Sequence, residues 1–154
     1  MPRIAAVGTA VPPHVVSQEA IKPVVRAMFR ESFRDIDRLM TVFDHAAIER
    51  RHFSVPLEWF LTPRSFQEKN DLYVQMACQL GQEAIEACLS EAGLTAQDVD
   101  HLIFVSTTGI ATPSVDARLA NELLLPRHVK RTPIWGLGCA GGAIGLSRAY
   151  EYAK

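Results

Sequence analysis

From Thr132 to Ser147 the chain carries no charged residue, yet it holds five of the protein's nine glycines: Gly136, Gly138, Gly141, Gly142 and Gly145. The stretch is shorter than the roughly 20 apolar residues of a membrane span. It therefore reads as backbone buried at a tight crossing inside protein. Thr132 to Trp135 has strand character, Gly136-Leu137-Gly138 is a turn, and Cys139 to Tyr152 is a helix. A helix this apolar on all sides must be enclosed by further layers, so the segment demands a layered α/β fold.

The rest of the chain fits that demand. Ile4 to Val7 is a short apolar run closed by Gly8 and Pro12-Pro13, a buried strand and turn. Ser17 is an N-cap for a helix reaching about Phe33, with Pro23 in its opening turns. A second helix runs from about Arg34 to Phe43. Asp44 to Ser65 is polar and irregular, long enough to point to function or to packing on a partner. Asn70 caps the clearest helix, Asp71 to Ala92, which Gly93 ends. Thr95 with Asp98 forms a capping box. His101 to Val105 is an apolar strand ending in Ser106-Thr107-Thr108-Gly109, and Pro113 opens a short helix to about Leu124. Strand and helix alternate, which implies mostly parallel pairing. Three strands make a thin sheet, so the fold is expected to be part of a larger one.

Composition narrows the function classes. With 48% hydrophobic and 21% charged residues the chain is globular, and its net charge of −1 gives no footprint for nucleic acid. The five His form no metal-ligand cluster, and no metal is expected. Cys78, Cys88 and Cys139 contain no CxxC pair. An odd count without a signal-like N-terminus suits reduced thiols in a cytoplasmic protein.

Cys139 holds the chemistry. A side chain at a strand–turn–helix elbow faces unpaired backbone N–H groups and the positive end of the helix dipole. That setting favours a nucleophilic thiolate, and the same N–H groups can hold an oxyanion when it attacks a thioester. The competing reading is a buried cysteine in a glycine turn that serves packing alone. Cys78 and Cys88 lie mid-helix and read as structural.

Gly-Leu-Gly-Cys-Ala-Gly-Gly-Ala (136–143) resembles the nucleophile motif of type III polyketide synthases, the chalcone and stilbene synthase family, in its bacterial form. Val7-Gly8-Thr9-Ala10-Val11-Pro12, Ile48-Glu49-Arg50-Arg51-His52 and the strand from His101 to Gly109 resemble further family segments in order. The resemblance implies the thiolase-like layered fold, αβαβα, with residues 1–154 as its N-terminal half and a His and an Asn supplied from the second half. It implies a homodimeric acyltransferase without a resident cofactor, whose substrates are acyl-CoA and malonyl-CoA. Cys139 matches the nucleophile. Arg38, Thr41 and His45 fall where plant members contact coenzyme A phosphates. Their spacing keeps them on one helical face, although Thr41 carries no charge there; a plain solvated face is the alternative. Thr107 and Thr108 match residues lining the cyclisation pocket, or are ordinary strand-end threonines. Thr112 matches a residue that reaches into the partner subunit. Ala140, Gly136 and Leu137 replace a bulky aromatic and two glutamines of plant members, which leaves the starter group open.

Three rival functions remain at this level. An initiating ketoacyl synthase of fatty-acid synthesis shares the fold. A cysteine hydrolase would need a His paired with a carboxylate. A non-catalytic interaction fragment would simply bind another half.

Overall fold

A computed structural model describes residues 1–154. The chain divides into two compact units, Val11–Ser65 and Met1–Ala10 with Phe66–Lys154. No helix is long and apolar enough to cross a membrane.

The unit of residues 11–65 contains β1 (His14–Ser17), α1 (Gln18–Phe29), α2 (Ile36–His45), β2 (Arg50–Phe53) and a 3₁₀ turn at Leu57–Leu61. Ser17 caps α1 as its sequence predicts, accepting from the Ala20 N–H at 3.2 Å. The helix ends at Phe29, four residues short of the expected Phe33, where a turn from Phe29 to Ser32 takes over. Asp35 accepts from the Arg38 N–H at 3.1 Å and so starts α2 two residues later than expected. β1 and β2 pair antiparallel, His14 opposite Phe53 and Ser17 opposite Arg50. The stretch read as irregular thus holds a strand and a turn. Its amphipathic signal is hidden because Arg50-Arg51-His52 carries no alternating apolar pattern.

Gln18 anchors this unit. It is buried, and both ends of its amide are used: Nε2 donates to Phe43 O at 3.1 Å and Oε1 accepts from Arg51 Nε at 2.8 Å. A buried amide bonded at both its nitrogen and its oxygen favours one arrangement of the elements it joins. Ile21 and Met40 are the buried apolar side chains of this unit.

The larger unit contains α3 (Phe66–Ala92), a 3₁₀ turn at Ala96–Asp98, β3 (His101–Ser106), α4 (Val115–Glu122), β4 (Lys130–Trp135), a 3₁₀ turn at Gly138–Ala140 and α5 (Gly141–Tyr152). β3 and β4 run parallel, His101 opposite Lys130 and Ser106 opposite Trp135, with α4 as the crossover. Side chains of β3 alternate between two helical layers. Leu102 and Phe104 join the core of Cys78, Val115 and Leu119 formed by α3 and α4. Val105 faces α5, and His101 stacks edge-on against Tyr152 of α5 with ring centres 4.5 Å apart.

Three expectations are corrected. Ile4–Val7 forms no strand; Ile4 and Val7 are each 73% exposed, and a strand needs a neighbour for its backbone groups. The chain there instead passes close to α3 at Gly8, where a Cβ would lie 2.0 Å from Ala84 O. Second, α3 starts at Phe66, a turn before the predicted cap, with Glu68 in its first turn where the helix dipole favours an acid. Third, pairing is evenly divided between one parallel and one antiparallel ladder.

An ion pair with one buried partner ties the crossover to the sheet. Asp116, fully buried in the first turn of α4, accepts from Arg131 of β4 at 2.7 Å.

α5 approaches β3 closely because its sheet-facing residues are glycines. A Cβ on Gly141 would lie 2.7 Å from Val105 Cγ1, and one on Gly145 would lie 2.9 Å from Val105 Cγ2. Alanine ordinarily gains about 1 kcal/mol over glycine inside a helix. Here overpacking against a stiff branched side chain reverses the sign. Gly145→Ala is expected to lower unfolding stability by about 1–2 kcal/mol in urea titrations of the full-length protein. Adding Val105→Ala should make the double variant more stable than additivity allows.

Candidate active site

The elbow is built from the end of β4. The Gly136 N–H donates to Ser106 O at 3.1 Å, extending the parallel ladder one step past the strand. The chain then reverses through Gly136 and Gly138, whose φ angles of +82° and +54° lie in the left-handed region that favours glycine. Cys139 sits in the 3₁₀ turn at Gly138–Ala140, one turn ahead of α5, and not in the helix itself as its sequence suggests. No side chain caps this turn or the helix behind it. The Gly141 N–H that opens α5 donates to Gly138 O, while no side chain takes the N–H groups of the Gly138–Ala140 turn, which leaves those to face an anionic oxygen.

The three cysteines differ in access. Cys139 is exposed, Cys88 half-buried and Cys78 buried. Burial pushes the Cys78 thiol up, and the Glu122 carboxylate adds to the rise. His101, bonded to Thr132 Oγ1 at 2.8 Å, opens β3 and His128 precedes β4, so both lie at the opposite end of the parallel pair from Cys139, which follows the Ser106–Trp135 end. A histidine–carboxylate dyad of hydrolase type is not assembled around the thiol.

Beside the elbow, on the α3/α4 face, lies a largely apolar cavity of about 370 Å³. Tyr73, Phe104, Ser106, Gly109, Ile110 and Trp135 line it. The Tyr73 hydroxyl is hydrogen-bonded to Ser106 Oγ at its edge.

The remaining predicted residues fall in two places. Thr107, Thr108 and Thr112 lie on the exposed loop between β3 and α4, in the same unit as Cys139. Thr107 and Thr108 do not line the cavity; Thr112 borders a separate polar hollow with Asn70 and Arg118. Arg38 and His45 are exposed on α2, in the unit of residues 11–65. Thr41 turns its hydroxyl to its own helix, donating to Arg38 O at 2.8 Å. Asn70 and Trp135, which sequence reading did not assign to the site, hold the threonine loop. Asn70 bonds both backbone groups of Ile110, and Trp135 Nε1 donates to Gly109 O at 2.9 Å. Sequence alone gives no signal for this role, because Asn70 reads there as the cap of α3 and its partner lies 40 residues away.

A parallel strand pair with a helical layer on each face, and a cysteine on the glycine elbow after the second strand, defines the N-terminal half of a thiolase-like fold. The 1,3,6,8-tetrahydroxynaphthalene synthase of Streptomyces coelicolor A3(2), a bacterial type III polyketide synthase, superposes with a TM-score of 0.86 at 28% identity, over 96% of this chain and 43% of its own. A fungal type III polyketide synthase shares the fold with a TM-score of 0.85. The chain belongs to the chalcone and stilbene synthase family: residues 2–154 match the N-terminal domain of chalcone and stilbene synthases. A Bacillus subtilis (strain 168) protein named for chalcone synthase is 44% identical over 98% of this chain and 43% of its own length. The 1,3,6,8-tetrahydroxynaphthalene synthase of Streptomyces peucetius subsp. caesius is 38% identical over 97% of this chain and 40% of its own. The chain thus spans about two fifths of the length of these curated relatives.

Access and burial order the thiols. Iodoacetamide near neutral pH is expected to modify Cys139 first, Cys88 more slowly and Cys78 only after denaturation, as read by peptide mapping of the native full-length protein. Labelling of Cys78 ahead of Cys139 would contradict this order.

Proposed function

We propose that this chain is the nucleophile-bearing part of a type III polyketide synthase, an acyltransferase that condenses malonyl-CoA onto a cysteine-bound acyl starter. The observation that carries it is the exposed Cys139 on an uncapped glycine elbow, in a chain that matches the family's N-terminal domain throughout. The Cys139 thiolate attacks the thioester carbonyl of an acyl-CoA. The C–S bond to coenzyme A breaks, and coenzyme A leaves as its thiolate. Malonyl-CoA then loses carbon dioxide, and the resulting carbanion attacks the acyl–Cys139 thioester and expels the Cys139 thiolate. Backbone N–H groups at the elbow stabilise the oxyanion in each attack. The family resemblance assigns assistance with decarboxylation to a His and an Asn outside residues 1–154.

In this reading Arg38 and His45 attract coenzyme A phosphates, and Thr107 and Thr108 border the growing chain. Thr112 reaches towards the partner in a cytoplasmic homodimer. Coenzyme A esters rather than acyl carrier protein thioesters are the substrates, which separates this enzyme from an initiating ketoacyl synthase.

In the full-length enzyme, Cys139→Ala should abolish the acyl adduct seen by intact mass after mixing with acyl-CoA. It should lower polyketide formation on the order of a thousandfold or more. A Cys139→Ala enzyme that still forms product at a comparable rate would sink the assignment, as would loading from acyl carrier protein alone. Arg38→Ala should raise KM for coenzyme A esters about threefold to tenfold with kcat unchanged, and the effect should fade at high salt.

A further inference from the structure

The loop from Thr107 to Ser114 leaves the sheet at the end of β3 and carries all three threonines of the proposed site. Side chains from three other elements hold its backbone. Asn70, at the start of the second turn of α3, donates from Nδ2 to Ile110 O at 2.8 Å and accepts from the Ile110 N–H at its Oδ1 at 2.9 Å. One amide side chain thereby satisfies both backbone groups of one residue, as a neighbouring strand would. Trp135, the last residue of β4, donates from Nε1 to Gly109 O at 2.9 Å. Arg118 of α4 donates from Nε to Pro113 O at 3.1 Å. Gly109 is buried against the Tyr73 ring, where a Cβ would lie 1.8 Å from Cδ1 and fix the loop's depth.

These contacts have one geometric consequence. Trp135 is followed directly by the elbow, with Cys139 four residues on. The same indole that ends β4 holds the loop, so loop and nucleophile share a reference point. Gly109 and Ile110 also form part of the wall of the 370 Å³ cavity. Releasing the clamp would move Thr107, Thr108 and that wall without disturbing the elbow turn, whose shape depends on Gly136, Gly138 and the packing of α5.

We propose that Asn70 and Trp135 are positioning residues that clamp the 107–114 loop through Ile110 and Gly109, and that this clamp sets which acyl chains the site accepts and how far they are extended. The product part rests on the condensing reading above; the clamp itself does not.

The full-length enzyme provides the test. Asn70→Ala removes both bonds to Ile110. Asn70→Asp keeps an acceptor for the Ile110 N–H but sets a carboxylate oxygen against Ile110 O. Trp135→Phe keeps a ring and removes the donor to Gly109 O, which serves should Asn70 variants fold poorly. Three quantities are read: amide hydrogen exchange over residues 107–114, the rate of Cys139 alkylation, and the chain-length distribution of products from a series of acyl-CoA starters. Each variant should speed exchange in the loop about tenfold or more. Alkylation should stay within about threefold of the unaltered enzyme, since elbow access is preserved. The preferred starter length or the number of extensions should shift, with kcat/KM for the original starter falling about tenfold to a hundredfold.

Unchanged exchange in the loop would overturn the clamp. Faster exchange with an unchanged product distribution would overturn its role in selection, as would alkylation and all products falling together in proportion to lost folded protein. An unaltered enzyme that loads no acyl group from any coenzyme A ester would instead overturn the condensing reading, and exchange alone would then decide the clamp.

Discussion

Val105 of β3 lies against Gly141 and Gly145 of α5, and most of the larger unit's geometry follows from that contact. A residue with a Cβ at either glycine would push the helix away from the sheet by several tenths of an ångström or more. The helix is joined to β4 by a short turn, so its distance from β3 fixes how sharply the chain must reverse after Trp135. That reversal uses two left-handed glycines and leaves Cys139 on the outside of the bend, exposed and ahead of the helix. The small residues of α5 are therefore a steric requirement of the elbow. They are not a concession to flexibility, because glycine in a helix interior is itself unfavourable.

The same contact explains why α5 is apolar yet little buried in this chain. Only Gly141 and Gly145 of the helix are buried, while Leu146, Tyr150 and Tyr152 are 63%, 46% and 60% exposed. The helix gives its smallest residues to the β3–β4 sheet and keeps larger apolar ones on the outer face. In a layered fold such a helix is a middle layer, with a second packing surface for what lies beyond it. The expectation of enclosure is thus met on one side by the sheet. The other side has the composition of an interface.

How much of this was legible depends on whether the signal was local. The caps at Ser17 and the box of Thr95 with Asp98 were readable, because a side chain bonding three residues along the chain leaves its spacing in the sequence. β3 and β4 were readable because their apolar runs are short and bounded by turn residues. Ile4–Val7 had the same local pattern but formed no strand, since strand formation depends on a neighbour that local pattern does not encode. β2 was missed for the opposite reason: its strand is made by pairing with β1, and Arg50-Arg51-His52 shows no apolar alternation. The turn that carries Cys139 was legible from glycine spacing, with the helix starting two residues later than its sequence suggests. The Asn70 bonds span 40 residues and leave no local trace, which is why that residue reads as a cap from sequence alone.

The two halves of the proposed site are consequently held by different means. Backbone geometry and steric contact at three or four glycines fix the elbow, so the nucleophile's position tolerates few substitutions there. Side chains hold the threonine loop, each bonding a backbone group that any residue in the loop would present. Its residues other than Gly109, which has no room for a Cβ beside Tyr73, can therefore change while the clamp stays, and the clamp can be loosened by one substitution while the elbow stays. That separation suits a protein whose chemistry is constant while its pocket varies. Position 136 or 138 cannot accept a side chain without strain, whereas Thr107, Thr108 and Thr112 are exposed and free of such constraint. Under the proposed function, differences in the acyl chain accepted would accordingly arise from the loop and the side chains that hold it, with Cys139 and its turn left in place.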